Sequence, residues 1–235
     1  MTEMELKYIL ISLISLSLPV FADDNLITIL QEGDNFELDI TQIGYNNVIK
    51  QWTSSEGIDG ADNTVIIKQA NDRGYSYDKN IIELRRVWGD GNTLKLGQGY
   101  HVSTNGAFSI DNSEYGDTFA HINITGDNNN ILMSQRTNSS SSGHAYWLHL
   151  EGDNNDIHTI QREGGSQYIN LDVYNDGNDI DLIQKNDGDH YMSVILRGTE
   201  PTTIGVTQNS IYNKSYSITN YCYTAGGCSI NVTQN

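Results

Sequence analysis

Asparagine and glutamine recur at a fixed spacing in this sequence, and their side-chain amides can hydrogen-bond to copies of themselves. The segment GDNNNILMSQ, residues 126–135, returns in similar form as GDNNDIHTIQ at residues 152–161. Asn is followed by Gln six positions later six times, whereas the composition gives about one such pair by chance. These pairs are Asn25/Gln31, Asn63/Gln69, Asn92/Gln98, Asn129/Gln135, Asn155/Gln161 and Asn178/Gln184.

Each of these phrases also carries the pattern of a β-strand. Asn63, Val65, Ile67 and Gln69 share one parity, so a strand would place them together on one face. In four phrases a glycine three residues before the Asn supplies a turn that reverses the chain. The candidate turn glycines are Gly33, Gly44, Gly60, Gly89, Gly126 and Gly152. Three more Gln close a similar strand without the Asn: Gln42, Gln208 and Gln234.

A second, weaker strand precedes each of the closing strands. The candidates are residues 25–31, 47–53, 80–86, 118–124, 145–151, 168–174, 191–197 and 215–221. Pairing each candidate with the phrase that follows predicts an all-β chain of about eight strand–turn–strand rungs. Self-similarity at this period indicates a β-solenoid. The longest interval between rungs includes residues 99–125, which we expect to contain a loop insertion or an extra hairpin.

The amides would face the interior of such a solenoid, together with the aliphatic residues of the same parity. A single buried amide loses hydrogen bonds, at about 1–3 kcal/mol for each unsatisfied group. Copies stacked about 4.8 Å apart can instead donate from one rung to the next. The predicted amide ladder comprises Asn25, Gln31, Gln42, Asn47, Asn63, Gln69, Asn92, Gln98, Asn129, Gln135, Asn155, Gln161, Asn178, Gln184, Gln208 and Gln234.

The N-terminus reads as a targeting segment. Residues 8–18 form an apolar run too short to span a bilayer, and the sequence PVFA follows with small residues at the positions that a signal peptidase requires. We therefore expect residues 1–22 to be a signal peptide and residues 23–235 to form the solenoid. Export places the chain in an oxidising compartment, where Cys222 and Cys228 could form a disulfide. Two reduced, buried thiols are the alternative.

The repeated phrase resembles the curlin repeat, the unit of the curli fibre subunits that Gram-negative bacteria secrete. The family pattern is Gln-x-Gly-x-x-Asn-x5-Gln. Gln42, Gly44 and Asn47 match its first half, and the four Gly-x-x-Asn-x5-Gln phrases match its second half. The resemblance spreads over most of residues 25–235. It implies a β-solenoid that polymerises into extracellular amyloid and acts in adhesion and biofilm formation.

The resemblance also implies partners: other copies of this chain stacked end to end, other curli-type subunits, and an outer-membrane secretion channel. The sequence departs from the family pattern at several rungs. Thr53 and Arg86 stand where a ladder Gln is expected, and Thr202 and Cys228 replace the Asn. The strands also contain more Ile and Leu than a typical subunit, so a major, nucleating or divergent subunit fits equally well.

Composition and spacing argue against several other functions. A formal net charge of −17 disfavours nucleic acid, which is bound by clustered Lys and Arg. The Asp-rich turns lack the spacing of EF-hand or repeats-in-toxin calcium sites, and the six His show no metal triad. We therefore expect neither a cofactor nor catalysis. Trp52, Trp88 and Trp147 could stack on sugars or could pack against strand faces. Because of the first possibility, a monomeric solenoid adhesin that binds glycans or surfaces is the alternative function.

Overall fold

The structure is a computed structural model that describes residues 25–29, 36–50, 58–71, 79–110, 118–137, 143–162, 166–185 and 188–235. Within these ranges the chain forms strands, turns and irregular segments but no helix, so it contains no helix that could cross a membrane. The predicted signal peptide, residues 1–22, lies outside the described residues, as do Gln31, Gly33, Trp52 and Thr53.

Eighteen β-strands follow one another along the described part of the chain. They are β1 (Leu26–Ile27), β2 (Glu37–Gly44), β3 (Asn47–Lys50), β4 (Ile58–Asp59), β5 (Thr64–Asn71), β6 (Asn80–Trp88), β7 (Thr93–Gln98), β8 (Tyr100–Val102), β9 (Phe108–Ile110), β10 (Thr118–Thr125), β11 (Asn130–Gln135), β12 (His144–Tyr146), β13 (Asp156–Gln161), β14 (Asp179–Asp181), β15 (His190–Gly198), β16 (Thr202–Gln208), β17 (Lys214–Cys222) and β18 (Cys228–Gln234).

Two parallel sheets face each other. Sheet 1 contains the eight strands that carry the repeated phrase, in the order β2-β5-β7-β11-β13-β14-β16-β18. Sheet 2 contains the preceding strands, in the order β1-β3-β6-β10-β12, with β4 pairing the end of β6. Isolated bridges from Ala145 to Tyr168 and from Tyr168 to Tyr191 extend sheet 2 to β15 and β17. This arrangement confirms the predicted all-β solenoid.

The core lies between the two sheets and is built from columns of like residues. Because every pairing within sheet 1 is parallel and in register, an inward residue of one rung stacks on the equivalent residue of the next. One column is aliphatic in all eight strands: Leu38, Val65, Leu94, Ile131, Ile157, Ile180, Ile204 and Ile230. Its six interior members are at most 1% exposed, whereas Leu38 and Ile230, at the two ends, are only partly buried.

The insertion after the third rung forms a β-hairpin and not a further rung of the solenoid. Strands β8 and β9 pair antiparallel and lie on the outer face of sheet 1. Ser134 donates its hydroxyl to the Tyr100 carbonyl at 2.9 Å, and it is buried although its parity places it outside. A Cβ added at Gly97 would lie 2.8 Å from Val102 Cγ2, so the hairpin needs a glycine beneath it. Residues 111–117 lie outside the described ranges.

The turns between the two sheets repeat one geometry. Gly60, Gly89 and Gly126 have φ values of +121°, +112° and +139°, which lie in the region that favours glycine. Two residues later a second left-handed residue follows, as at Asn128, where φ is 56°. The rungs also pack closely, because a Cβ built on Gly126 would lie 2.2 Å from the Gly152 carbonyl oxygen. Gly60, Gly89 and Gly126 are therefore each required by their own φ and by the rung stacked on them.

We expect Gly126→Ala to destabilise the protein by roughly 3 kcal/mol or more, because the new Cβ meets backbone that cannot move without displacing the next rung. Urea denaturation monitored by circular dichroism measures this change. Gly205→Ala is the matched control, since the nearest atom to a Cβ at that position is 3.9 Å away. Equal losses of stability in the two variants would contradict the close packing of the turns.

Candidate functional site

The inward Gln residues form a ladder along sheet 1. Gln42 Nε2 donates to Gln69 Oε1 at 2.8 Å, and Gln69 Nε2 donates to Gln98 Oε1 at 2.7 Å. Gln98 Nε2 continues the run by donating to Gln135 Oε1 at 3.0 Å. The hydrogen bonds between successive rungs therefore join the first four Gln into one chain of amides.

A second run of the ladder begins at the other end and points the opposite way. Gln208 Nε2 donates to Gln184 Oε1 at 2.9 Å, and Gln184 Nε2 donates to Gln161 Oε1 at 3.2 Å. The runs meet at Gln135 and Gln161, each of which donates instead to backbone carbonyls of sheet 2. Other ladder amides bond to sheet 2 as well, as when Gln98 Nε2 donates to the Ile81 carbonyl at 3.0 Å. The ladder thus joins rung to rung and also sheet to sheet.

The Asn residues form a separate column at the turns. Asn63, Asn92, Asn129, Asn155 and Asn178 each accept, at Oδ1, the backbone N–H of the next rung at 2.8–3.0 Å. The side-chain N–H of an Asn reaches a glycine carbonyl of the next rung, as from Asn92 to Gly126 at 2.8 Å. All five are at most 1% exposed. Each Asn therefore fixes the turn of the rung stacked on it.

Asn25 and Asn47 belong to a third column, at the start of the sheet 2 strands, and not to the Asn63 column. The Asn47 backbone N–H donates to Asn25 Oδ1 at 2.9 Å, and Asn80 Nδ2 donates to Asn47 Oδ1 at 3.0 Å. Thr118 completes this run by donating its hydroxyl to Asn80 Oδ1 at 2.7 Å. The repeated Asn-x5-Gln phrase does not include Asn80, so this residue was not predicted as part of the amide ladder. Its place at the first position of a strand, equivalent to that of Asn47, was the available signal.

An aspartate column on the turns was also missed. Asp90, Asp127, Asp153 and Asp176 each accept, at Oδ1, the backbone N–H of the previous rung at 2.7–2.9 Å. Asp90, Asp127 and Asp153 directly follow a turn glycine, and Asp176 follows Asn175. The recurring Gly-Asp pair was therefore the signal in the sequence. This bonding gives the Asp-rich turns a role in stacking that needs no metal ion.

The last rung differs from the others at its turn. Cys228 pairs with Thr202 in register, so it occupies the position that Asn holds in earlier rungs. Its sulfur lies 1.98 Å from that of Cys222, which is the end residue of β17. The disulfide therefore joins β17 and β18, the two strands of the last described rung.

The two terminal rungs leave their inward faces partly open. In β18, Ile230, Val232 and Gln234 alternate with exposed residues and are themselves only half-buried. At the other end, Leu38 and Ile40 of β2 are likewise only partly buried. Within the described part of the chain, β2 and β18 are the outermost strands of sheet 1. Among the described residues, both ends of sheet 1 thus show an edge of the core and a strand side without a pairing strand.

Polar and aromatic side chains gather on the outer face of sheet 2. Buried Glu83 forms ion pairs with Lys50 at 2.7 Å and with Arg85 at 3.7 Å, and His121 Nδ1 lies 3.9 Å from it. Burial and the neighbouring Arg85 lower the pKa of His121 to about 4. His121 also packs against Trp147, with the ring centroids 5.0 Å apart. His121 is therefore a neutral imidazole at physiological pH.

We expect Gln98→Leu to lower the free energy of unfolding by about 1–3 kcal/mol, because Gln135 loses its donor and Gln69 loses one acceptor in a buried column. Urea titration provides the measurement. The control is Thr203→Leu on the outer, exposed side of sheet 1, which should change stability by less than about 0.5 kcal/mol. A Gln98→Leu protein as stable as the parent would mean that the ladder contributes nothing to folding.

Acidification should destabilise the protein through His121. Since the unfolded imidazole has a pKa of about 6.5 and the folded one about 4, the unfolded state binds more protons between these values. The free energy of unfolding therefore falls as the pH decreases from 6.5 to 4. Thermal melts at pH 7.5 and pH 4.5 should show a smaller decrease in Tm for His121→Gln than for the parent. Equal decreases in the two proteins would show that His121 is not held neutral by the fold.

The columns offer self-complementary hydrogen bonding, and their chemistry suits contact with further copies of the same rung. Among the described residues, no three His, Cys, Asp or Glu side chains come together in a way that could hold a metal ion. No protein-family model, curated protein or solved structure matches this chain. The geometry of the columns and of the terminal rungs is therefore the basis for assigning a function.

Proposed function

We propose that this chain is a secreted structural subunit of a curli-like extracellular amyloid fibre, in which copies stack end to end. The observation that carries the proposal is the state of the terminal rungs. Ile230, Val232 and Gln234 stand in the same columns as the interior residues, yet within the described part of the chain no rung covers them. A soluble protein usually protects such an edge with charge, proline or a covering segment.

The two ends are complementary in shape and direction. All strand pairings of sheet 1 are parallel, so a second copy placed beyond β18 continues the sheet when its β2 lies alongside. The shared register then stacks Leu38 on Ile230 and Gln42 on Gln234. A contact between two different surfaces of one molecule does not close on itself, and it therefore produces filaments.

Unused hydrogen-bonding capacity at the last rung supports this contact. Cys228 N–H donates to the Pro201 carbonyl, and the Gln234 carbonyl accepts from Asn209 N–H, so the even-numbered residues of β18 bond to β16. By the alternation of a parallel strand, the N–H groups of residues 229, 231 and 233 point to the open edge.

Charge and the N-terminal segment support the rest of the proposal. The net charge of −17 keeps separate copies soluble and disfavours lateral clumping, while leaving the axial contact apolar. The signal-like segment at residues 1–22 and the curlin-like phrases support export from a Gram-negative bacterium through an outer-membrane secretion channel. Other curli-type subunits are the expected partners, and adhesion and biofilm formation are the expected roles.

The monomeric adhesin remains the second candidate, since outward aromatic residues stack across sheet 2. Trp147 lies 5.7 Å from Phe119 and 6.2 Å from Tyr168, and Tyr168 stacks on Tyr191 at 5.3 Å. Such a surface suits binding to a glycan, and a fibre would display it as well as a monomer. Whether the purified protein polymerises therefore separates the two candidates.

Purified residues 23–235 should form fibres that bind an amyloid dye, elongate from added seeds and give a reflection at about 4.7–4.8 Å along the axis. Asn231→Pro should abolish elongation, because the ring removes an N–H of the open edge while the bonds to β16 remain. Val232→Pro is less informative, since the Val232 N–H points to β16 and its loss would damage the rung itself.

Asn231→Ala is the matched control and should elongate like the parent, because it keeps the backbone N–H. Circular dichroism and Tm close to the parent's should show that Asn231→Pro remains folded. If the proline variant elongates at the parental rate, β18 is not the growing edge. A parent that stays monomeric under seeding would instead contradict the fibre and favour the adhesin.

A further inference from the structure

The outer face of sheet 2 contains a depression that neither the stacking of rungs nor the growth of a fibre uses. Its volume is about 290 Å³, and it is open to solvent. Three successive rungs form its floor, and each rung contributes two residues. His121, Trp147 and Asn170 form one row, and Asn123, His149 and Asp172 form the other. The side chains that line it are His121, Trp147, Asn170, Asn123, His149 and Asp172.

The backbone departs from regular strand geometry at this place. Strand β12 ends at Tyr146, and the next rung joins the sheet through the isolated bridges of Tyr168 and a hydrogen bond from the Tyr174 N–H to the Leu150 carbonyl at 2.8 Å. Positive φ values occur at Leu148 (115°) and His149 (79°), and at Asp172 (129°) and Val173 (34°) in the following rung. Such conformations are costly for residues other than glycine, and they concentrate at ligand-binding sites.

Three polar groups in the wall of the depression lack partners. His121 Nδ1, Asn123 Oδ1 and Trp147 Nε1 are buried and form no hydrogen bond within the described part of the chain. His121 is only 9% exposed, and the nearest Glu83 oxygen, at 3.9 Å, is beyond hydrogen-bonding distance. Unsatisfied buried groups of this kind are few in native proteins, and each calls for an explanation such as strain, a functional role or an ordered water or ion.

The charges around the depression are already neutralised. Asp172 accepts from His149 through Oδ1 at 3.2 Å and from Arg197 through Oδ2 at 3.1 Å. His149 Nε2 contacts Glu151 at 3.2 Å, and Lys50 is 2.7 Å from Glu83. An ionic ligand would gain little from groups that are paired with one another. The groups that remain for binding a ligand are the indole ring of Trp147, the amides of Asn123 and Asn170, and the neutral imidazole of His121.

We propose that this depression binds a neutral saccharide of one or two rings. An aromatic ring beside amide and carboxylate groups suits a ligand with apolar C–H faces and many hydroxyls. With rungs about 4.8 Å apart and alternate residues of a strand about 6.8 Å apart, three rungs by two positions cover about 10 Å by 7 Å. Trp147 packs against one sugar face, and Asn170 and Asp172 bind hydroxyl groups. The site is available on a monomer or on a fibre, so it does not depend on the proposed function.

Saturation-transfer NMR with soluble monomer tests the site, using maltose, cellobiose, lactose and N,N′-diacetylchitobiose at about 10 mM, a concentration suited to weak affinity. At least one disaccharide should receive transfer, and glucose 6-phosphate should not compete. Asn170→Ala should raise Kd about tenfold, equivalent to about 1.4 kcal/mol, and Trp147→Ala should abolish binding. Thr203→Ala, on the other sheet, should bind like the parent.

Trp147→Ala could unfold the protein, because Trp147 would lose its contacts with Phe119 and Tyr168. In that case Asn170→Ala still tests the site, since Asn170 lies outside this aromatic packing. Absence of transfer from all four disaccharides would overturn the proposal and leave ordered water as the partner of the three unsatisfied groups. Equal weakening by Asn170→Ala and Thr203→Ala would overturn it too. Neither result would bear on fibre growth, which depends on β18.

Discussion

The rest of the structure depends on the requirement that each buried amide find its hydrogen-bond partner in the neighbouring rung. An interior Asn or Gln has no water to bond, and the aliphatic column beside it offers nothing in exchange. An identical side chain at the same position in the next rung can satisfy it, as Gln69 does for Gln42, and backbone carbonyls of the facing sheet or of the next turn supply the remaining acceptors. Register is therefore specified chemically, because a shift by one residue would place the amides outside and leave every ladder bond unmade.

The same requirement governs the turns. Asn92 bonds to the backbone of the next turn, so that turn must approach closely, and close approach excludes a Cβ at Gly89 and Gly126. Asp127 adds a carboxylate that fixes the turn from its outer side. The connections from sheet 1 to sheet 2 tolerate variation in length, since an insertion such as the β8–β9 hairpin leaves the sheet and packs outside it. Local irregularity thus coexists with columns that continue through all rungs.

Sequence reasoning could predict the solenoid because two signals agree in it: alternation at period two, and glycine at a constant offset from Asn. It could not predict which contacts cross from one strand to a distant one. Asn80 was missed because it lies outside the repeated phrase, and Asp90 was missed because its hydrogen bond to the previous rung exists only when the rungs are stacked. Ser134 has the parity of an outward residue but is buried, because a hairpin from a different part of the chain covers it. The left-handed residues Leu148 and Val173 carry no sequence signal, since neither residue type favours that conformation.

The reversal within the Gln ladder has a consequence for the electrical character of the molecule. Amides that all point one way along an axis add their dipoles, as peptide groups do in a helix, and the sum places opposite partial charges at the two ends. Here the run from Gln42 to Gln135 and the run from Gln208 to Gln161 point toward each other. Their dipoles oppose, so the column has little net polarisation along the axis. A stack of such units can lengthen without accumulating an axial field.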